Sequence, residues 1–341
     1  MGNRDAGGLA LKRALAAAGA FAALVGTSIA LGACGGDASS DERFDVMLDY
    51  VVNPDHAGIY VADERGYFDD EGLDVELRVP PDPAAPIKQV AAGRVDLAIS
   101  YEPEVVLARE QGLDVVAVAA LVNGPLTSLI SLPAAGIDDP ADLEGKTVVY
   151  AGIPYQEAYL RSILDEAGVD PGTVEDVNVG FNLVPPLLSG KADAMLGGFL
   201  NVEGVQLEAD GEDPRVVPVD QLGIPTYDEL VLVADAERVR DDPGQIEDFL
   251  AALERGTEDA VADPAAATDS IVAAGDRLDP ALTRKQIDAT LPLLQPGGGK
   301  PYGYMDPAEW QAFSDFMAAE GQVDEAPPAD ELLTNELLPG G

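Results

Sequence analysis

From residue 44 onward, short apolar runs of strand length alternate with longer stretches whose apolar positions recur every three or four residues. That alternation is the pattern of an α/β protein with mostly parallel sheets. It predicts strands over 44–50, 73–79, 95–100 and 115–121, separated by helices over 57–65, 86–92 and 103–111. A buried-looking run over 126–132 leads out of this first set, and after Pro133 the pattern starts again. The second set has strands over 146–150, 174–179, 192–196 and 215–219, helices over 156–167, 183–188 and 202–209, and a returning apolar run over 230–234. Beyond Asp235 only helices are predicted, over 243–261, 264–274, 280–293 and 307–320. Proline opens each at or near the first position, where a missing N–H costs little. Helices without a sheet need one to pack on, so this last region is expected to return to the first lobe. The resulting division is a first lobe over 44–132, a second over 133–229, and a return crossing with C-terminal helices over 230–341.

One motif occurs twice. Gly93-Arg94-Val95-Asp96-Leu97-Ala98 and Gly190-Lys191-Ala192-Asp193-Ala194-Met195 share the order glycine, base, small apolar residue, aspartate, strand. Each strand runs on into polar or aromatic residues: Ser100, Tyr101 and Glu102 in the first, Phe199, Asn201 and Glu203 in the second. Ligands of open α/β sheets bind beyond the carboxyl ends of the strands, so two such lobes are expected to aim these residues at one shared cleft. An echo this short also arises by chance.

The N-terminal segment is of another kind. Arg4, Lys12 and Arg13 precede an apolar stretch from Ala14 to Leu31 that closes on small residues, the layout of an export signal. Cys34, the one cysteine of the chain, stands directly behind it. The segment over 1–33 resembles a bacterial lipobox leader, in which that cysteine is lipidated and becomes the new N-terminus. An uncleaved membrane helix, or an ordinary signal with a chance cysteine, are the alternatives. Residues 34–43 then form a flexible tether through Gly35-Gly36-Asp37-Ala38-Ser39-Ser40. No second apolar run of spanning length follows, so the folded part is expected outside the cell, lipid-anchored to the membrane.

The formal net charge is −42; the leader carries Arg4, Lys12 and Arg13 against Asp5, a net +2, which leaves −44 for the rest. Such a density favours solubility, opposes compaction unless salt screens it, and excludes nucleic acid as a partner. A saline habitat and a drift toward acidity without adaptive meaning both fit it. One cysteine and one histidine supply neither a zinc cluster nor a Cys-His dyad, so no metal and no cofactor are expected.

The segment Leu48-Asp49-Tyr50-Val51-Val52-Asn53-Pro54-Asp55-His56-Ala57-Gly58-Ile59-Tyr60-Val61-Ala62, with Arg65-Gly66-Tyr67-Phe68 and Glu71-Gly72-Leu73-Asp74-Val75 after it, resembles the opening of ABC-importer solute receptors of the thiamine-pyrimidine group. The part from the helix through Gly-Tyr-Phe and Glu-Gly-Leu is shared with receptors for sulfonates and nitrate. Gly197-Gly198-Phe199-Leu200-Asn201-Val202-Glu203-Gly204-Val205-Gln206-Leu207-Glu208 is more discriminating, and is similar to receptors for the formylaminopyrimidine precursor of thiamine. Gly223-Ile224-Pro225-Thr226-Tyr227 and the ending Thr334-Asn335-Glu336-Leu337-Leu338-Pro339 are also similar to that group. The resemblance implies a two-lobe periplasmic-binding-protein-like fold of type II, each lobe a mixed, mostly parallel sheet flanked by helices. It implies a monomeric receptor that closes on its ligand about the runs over 126–132 and 230–234 and serves a permease and its ATPase. The group commonly has Asp or Asn, then Trp and a proline, where this chain has Asp49-Tyr50-Val51-Val52; a phenol replaces the indole.

In that subgroup an aromatic residue and a glutamate four positions later contact the pyrimidine, and they fall on Phe199 and Glu203. An aminopyrimidine is flat, with an amine donor and ring nitrogens, so its receptor needs stacking faces and an in-plane acceptor. Tyr50 and Phe199 would supply the faces, worth roughly 0.5–1.5 kcal/mol beyond area burial. Glu203 would accept from the amine in a charge-assisted bond and reject ligands that leave it unpaired. Each has a plainer reading: Tyr50 and Phe199 as core, Glu203 as a solvated charge. Asp49, Asn53 and His56 of the opening motif, Ser100, Tyr101 and Glu102, Tyr155 behind Gly152-Ile153-Pro154, and Asn201 complete the expected site. His56 reads equally as a cap at a helix start. Another flat aromatic such as riboflavin, or a sulfonate, is the alternative ligand; a sulfonate calls for basic or amide donors.

The fungal-type pyrimidine synthase is a relative of these receptors that consumes its own pyridoxal phosphate and a histidine. Its lysine lies just past the Gly-base-Val-Asp strand and its histidine four residues on. Here those positions are Ser100 and Glu104, and no cysteine-rich loop is present. Without a Schiff-base lysine an enzyme is not expected.

Overall fold

The computed structural model of the chain describes residues 42–295 and 299–340. Cys34 and the leader over 1–33 lie outside the described residues. The strands, in chain order, are β1 (Glu42–Met47), β2 (Leu73–Arg78), β3 (Leu97–Ser100), β4 (Val115–Asn123), β5 (Thr127–Ser131), β6 (Thr147–Tyr150), β7 (Glu175–Asn178), β8 (Ala194–Phe199), β9 (Arg215–Pro218) and β10 (Asp228–Asp235). β1 begins inside the stretch expected as tether over 34–43.

They form two five-stranded sheets of one plan, β2-β1-β3-β10-β4 and β7-β6-β8-β5-β9. In each, four strands share one direction and one runs against them, β10 in the first sheet and β5 in the second. Both sheets are therefore mixed. The run over 126–132, expected to close the first lobe, is a strand of the second: β5 pairs Leu129 with Leu196 and Ile130 with Met195. Its apolarity signals burial and says nothing of which sheet buries it. The chain thus crosses between the sheets twice, from β4 to β5 and from β9 to β10. Glu229, fully buried, ties the crossings together: its carboxylate accepts from the N–H groups of Leu126 and Thr127 (both 2.7 Å), Thr127 Oγ1 (2.9 Å) and the Tyr227 hydroxyl (3.0 Å).

The repeated motif does the same mechanical work in both sheets. Gly93 and Gly190 have φ of 62° and 66°, the left-handed region that lets the chain leave a helix and turn into a strand. Asp96 then accepts from the N–H of Asp45 on β1 (2.6 Å), and Asp193 from the N–H of Thr147 on β6 (2.9 Å). Each aspartate fixes the register of a parallel pair, and with it where the strand's carboxyl end emerges.

Three C-terminal helices, Pro264–Ala274, Pro280–Thr290 and Pro307–Ala319, begin at an Asp-Pro step. The proline occupies the first turn, and Asp263, Asp279 and Asp306 each accept a backbone N–H as N-cap. Helix Gly244–Ala262 packs on helix Ala57–Glu64 of the first lobe at close range, because a Cβ on Gly256 would collide with the Gly58 carbonyl and with Ala62. Beyond it, the C-terminal segment covers the edge strand β4: Ala120 donates to the Gly303 carbonyl (2.8 Å) and Thr334 to the Ala117 carbonyl (2.9 Å). The helices do not return to the first lobe alone. Pro280–Thr290 also packs on helix Val205–Ala209 of the second. Among the described residues no helix is long and apolar enough to cross a membrane.

Candidate functional site

The parallel strands deliver their carboxyl ends to one cavity of about 460 Å³. Residues just past β1 (Asp49 to Pro54) and β3 (Tyr101) line it from the first lobe. Ala151 and Ile153 past β6, Phe181 to Pro185 past β7, and Gly197, Phe199 and Glu203 at the end of β8 line it from the second. Leu282, Thr283 and Gln286 of helix Pro280–Thr290 complete the wall.

On the first-lobe side, Asp49 is held from two directions: His56 Nε2 lies 2.8 Å from Oδ1, and the Tyr101 hydroxyl donates to Oδ2 at 2.9 Å. His56 Nδ1 accepts the Asn53 N–H (3.3 Å), which leaves the ring proton on Nε2, facing Asp49. Asn53 is the N-cap of the 3-10 turn Pro54–His56 and receives the Asp55 N–H (2.8 Å). The loop is thereby locked, and Asp49 keeps acceptor capacity on a side chain that borders the cavity. Tyr50 stands edge-on to Phe181 of the opposite lobe, ring centroids 4.6 Å apart at 80°, and its hydroxyl reaches the Gly180 carbonyl at 3.5 Å. Burial, with the charges of Glu203 and Asp49, pushes the Tyr50 phenol far up, so it stays a neutral donor.

On the second-lobe side β8 ends at Phe199 and runs into a π-helical turn, Leu200–Gly204, a wide turn often found where function is built. It separates two neighbours. Glu203 faces the cavity, partly accessible there, with Oε2 accepting the Phe199 N–H at 2.7 Å. Burial raises its carboxyl to about 7 against the opposing help of that N–H. Asn201 turns the other way, fully buried, and donates to Asp55 (2.7 Å) and Thr290 (2.8 Å).

The structure therefore gathers Asp49, Tyr50, Asn53, Tyr101, Phe199 and Glu203 around one cavity. The other five expected site residues do not line it. His56 is behind Asp49, and Asn201 forms an interlobe contact. Ser100 is buried at the end of β3. Glu102 accepts the Asp228 N–H (2.7 Å) at the return crossing. Tyr155 is wedged between Tyr101 and Tyr159, its hydroxyl 3.5 Å from Glu229. Their polarity near strand ends reads as marking a cleft, but each is engaged by the scaffold next to it. Sequence reasoning missed Phe181, Gln206 and Gln286. Phe181 had a signal: an aromatic between Gly180 and Asn182 at a strand's carboxyl end, the position that marked Tyr101. Arg277, at φ 59°, is the one cation among the lining residues and is exposed.

Residues 53–267 match the family described as NMT1/THI5 like. The chain is 35% identical to the formylaminopyrimidine-binding protein of Halalkalibacterium halodurans over 89% of its length and 94% of the relative's. It is 26% identical to the 4-amino-5-hydroxymethyl-2-methylpyrimidine phosphate synthase of Schizosaccharomyces pombe over 66% of its own length and 67% of the synthase. Among solved structures, the alkanesulfonate-binding protein of Xanthomonas axonopodis pv. citri, solved with MOPS bound, superposes with a TM-score of 0.67 at 15% identity, covering 86% of this chain and 98% of that one. That last likeness concerns the fold, the periplasmic-binding-protein-like arrangement of two mixed sheets. A family match over more than half the chain, and a relative this similar along nearly all of it, make this protein a member of the NMT1/THI5 like family.

Proposed function

We propose that this protein is the solute-binding component of an ABC importer, taking a thiamine pyrimidine precursor of the formylaminopyrimidine or hydroxymethylpyrimidine type and passing it to a permease and its ATPase. It would act outside the cytoplasm, lipid-anchored through Cys34. The observation that carries the reading is the composition of the cavity wall: aromatic rings from both lobes, Tyr50, Phe181 and Phe199, beside the carboxylates of Asp49 and Glu203. A flat ring with amine donors is the complement of that wall. The formylaminopyrimidine-binding relative supports the same class. A sulfonate fits less well, because the carboxylates of Asp49 and Glu203 would repel an anion and the cation among the described lining residues, Arg277, is exposed.

The synthase relative favours a second reading. Against it, Ser100 stands where the resemblance puts the pyridoxal-bearing lysine, and among the described residues no lysine lines the cavity. The test is a thermal-shift panel of formylaminopyrimidine, hydroxymethylpyrimidine, thiamine, riboflavin and taurine. The first two should raise the melting temperature and taurine should not. A response to taurine alone, or a pyridoxal-phosphate absorbance in the purified protein, would overturn the assignment.

A further inference from the structure

Asp55 and Asn201 meet from opposite lobes, 3% and 0% exposed. One half of the contact is well made, through the 2.7 Å bond from Asn201 Nδ2 to Asp55 Oδ1. The other half is not: Asp55 Oδ2 and Asn201 Oδ1 are both buried without a hydrogen-bond partner. With Asp55 ionised, both are acceptors and neither can serve the other. A buried charge and two orphaned acceptors cost more than the single bond returns. One proton on Asp55 removes the charge and supplies the missing donor. Nothing cationic competes for that role. The charges that reach Asp55 are Asp49 of the first loop, Glu203 of the turn carrying Asn201, and Glu229 of β10, all acidic. His56, next in the chain, is spent on Asp49, and Thr290 on helix Pro280–Thr290 does not titrate. Burial first, then these charges, hold the Asp55 carboxyl protonated well above the usual range.

We propose that Asp55 and Asn201 form a proton-requiring latch across the cleft, so that closing the lobes takes up a proton and opening them releases it. This rests on the receptor reading above, since a latch acts only in a protein that opens and closes. When the lobes part, Asp55 meets water and ionises as an ordinary carboxyl. The closed form binds the proton more tightly, so closure is fully favoured below the open-form pKa and weakens as pH rises through the closed-form value. Glu203 acts in the opposite sense on an amine ligand, which needs its ionised form, so ligand affinity alone would mix the two.

The test is small-angle scattering of the ligand-free full chain at about pH 5.5 and about pH 8, both above the value of an ordinary carboxyl, where closure should weaken as pH rises. Wild type should be more compact at the lower pH, and Asp55→Asn, whose amide imitates the protonated acid, equally compact at both. Equal responses in the two proteins overturn the latch. Should Asp55→Asn fail to fold, Asn201→Asp replaces it: two facing carboxyls should make the dependence on pH steeper than in wild type, and an unchanged dependence overturns the proposal. Calorimetry with formylaminopyrimidine separates the two readings. No binding, together with a difference between wild type and Asp55→Asn in scattering, leaves the latch standing and removes the ligand; binding without that difference does the reverse.

Discussion

Glu104 shows how heavily the centre of this protein is loaded with acids. It is 5% exposed on helix Glu102–Glu110, its Oε1 has no partner, and burial raises its carboxyl to about 7 despite the nearby charge of Lys88. A raised carboxyl means the folded chain holds its proton to higher pH than the unfolded chain does. Its contribution is complete below the unfolded value near 4.5 and is lost as pH rises to about 7. Glu104→Gln should therefore leave stability unchanged at acid pH and raise it by ~1–3 kcal/mol above neutrality, read from urea denaturation on either side of that window. A uniform effect at both pH values would contradict the assignment. At this scale the sequence was informative where a motif named the residue, as with Asp49, Tyr50 and Glu203. It could not separate Glu203 from Asn201, two positions apart, because what turns one toward the cavity and the other into the interlobe contact is the π-helical turn. No periodicity in the residues announces that turn.

Most elements were legible because their signals are local. Prolines marked the starts of the C-terminal helices, and the Gly-base-x-Asp motif marked two parallel strands. What stayed hidden was partnership. The run that forms β5 was recognisable as buried, but pairing is set by the partner's position in space, and the run carries no mark of the second sheet. Helix–helix contact was hidden in the same way. The approach of Gly244–Ala262 to Ala57–Glu64 depends on two glycines that read as unremarkable helix interior, Gly58 and Gly256. Gly256→Ala should cost ~1–3 kcal/mol, because the added methyl meets backbone on the facing helix and must push it away. Intrinsic helix propensity alone would make the same change stabilising by about 1 kcal/mol, so the sign of the shift in denaturation midpoint decides between packing and propensity.

At the scale of the molecule, two sheets of one plan turn the carboxyl ends of their parallel strands toward each other, and the chain crosses between them twice beside the buried carboxylate of Glu229. On the receptor reading proposed above, that geometry would let ligand contacts on both lobes be converted into closure, since a ligand shifts an equilibrium only by touching the favoured state better. The central claim is that the cavity reads a planar amine-bearing ring between Tyr50, Phe181 and Phe199, with Glu203 at its edge. The most direct measurement is a calorimetric titration of formylaminopyrimidine into wild type and Glu203→Gln at a pH above 7, where Glu203 is ionised. The predicted result is saturable one-to-one binding to wild type, weakened roughly tenfold or more in the variant by loss of a charge-assisted bond. Absence of saturable heat with wild type, or equal affinity in the two proteins, would contradict it.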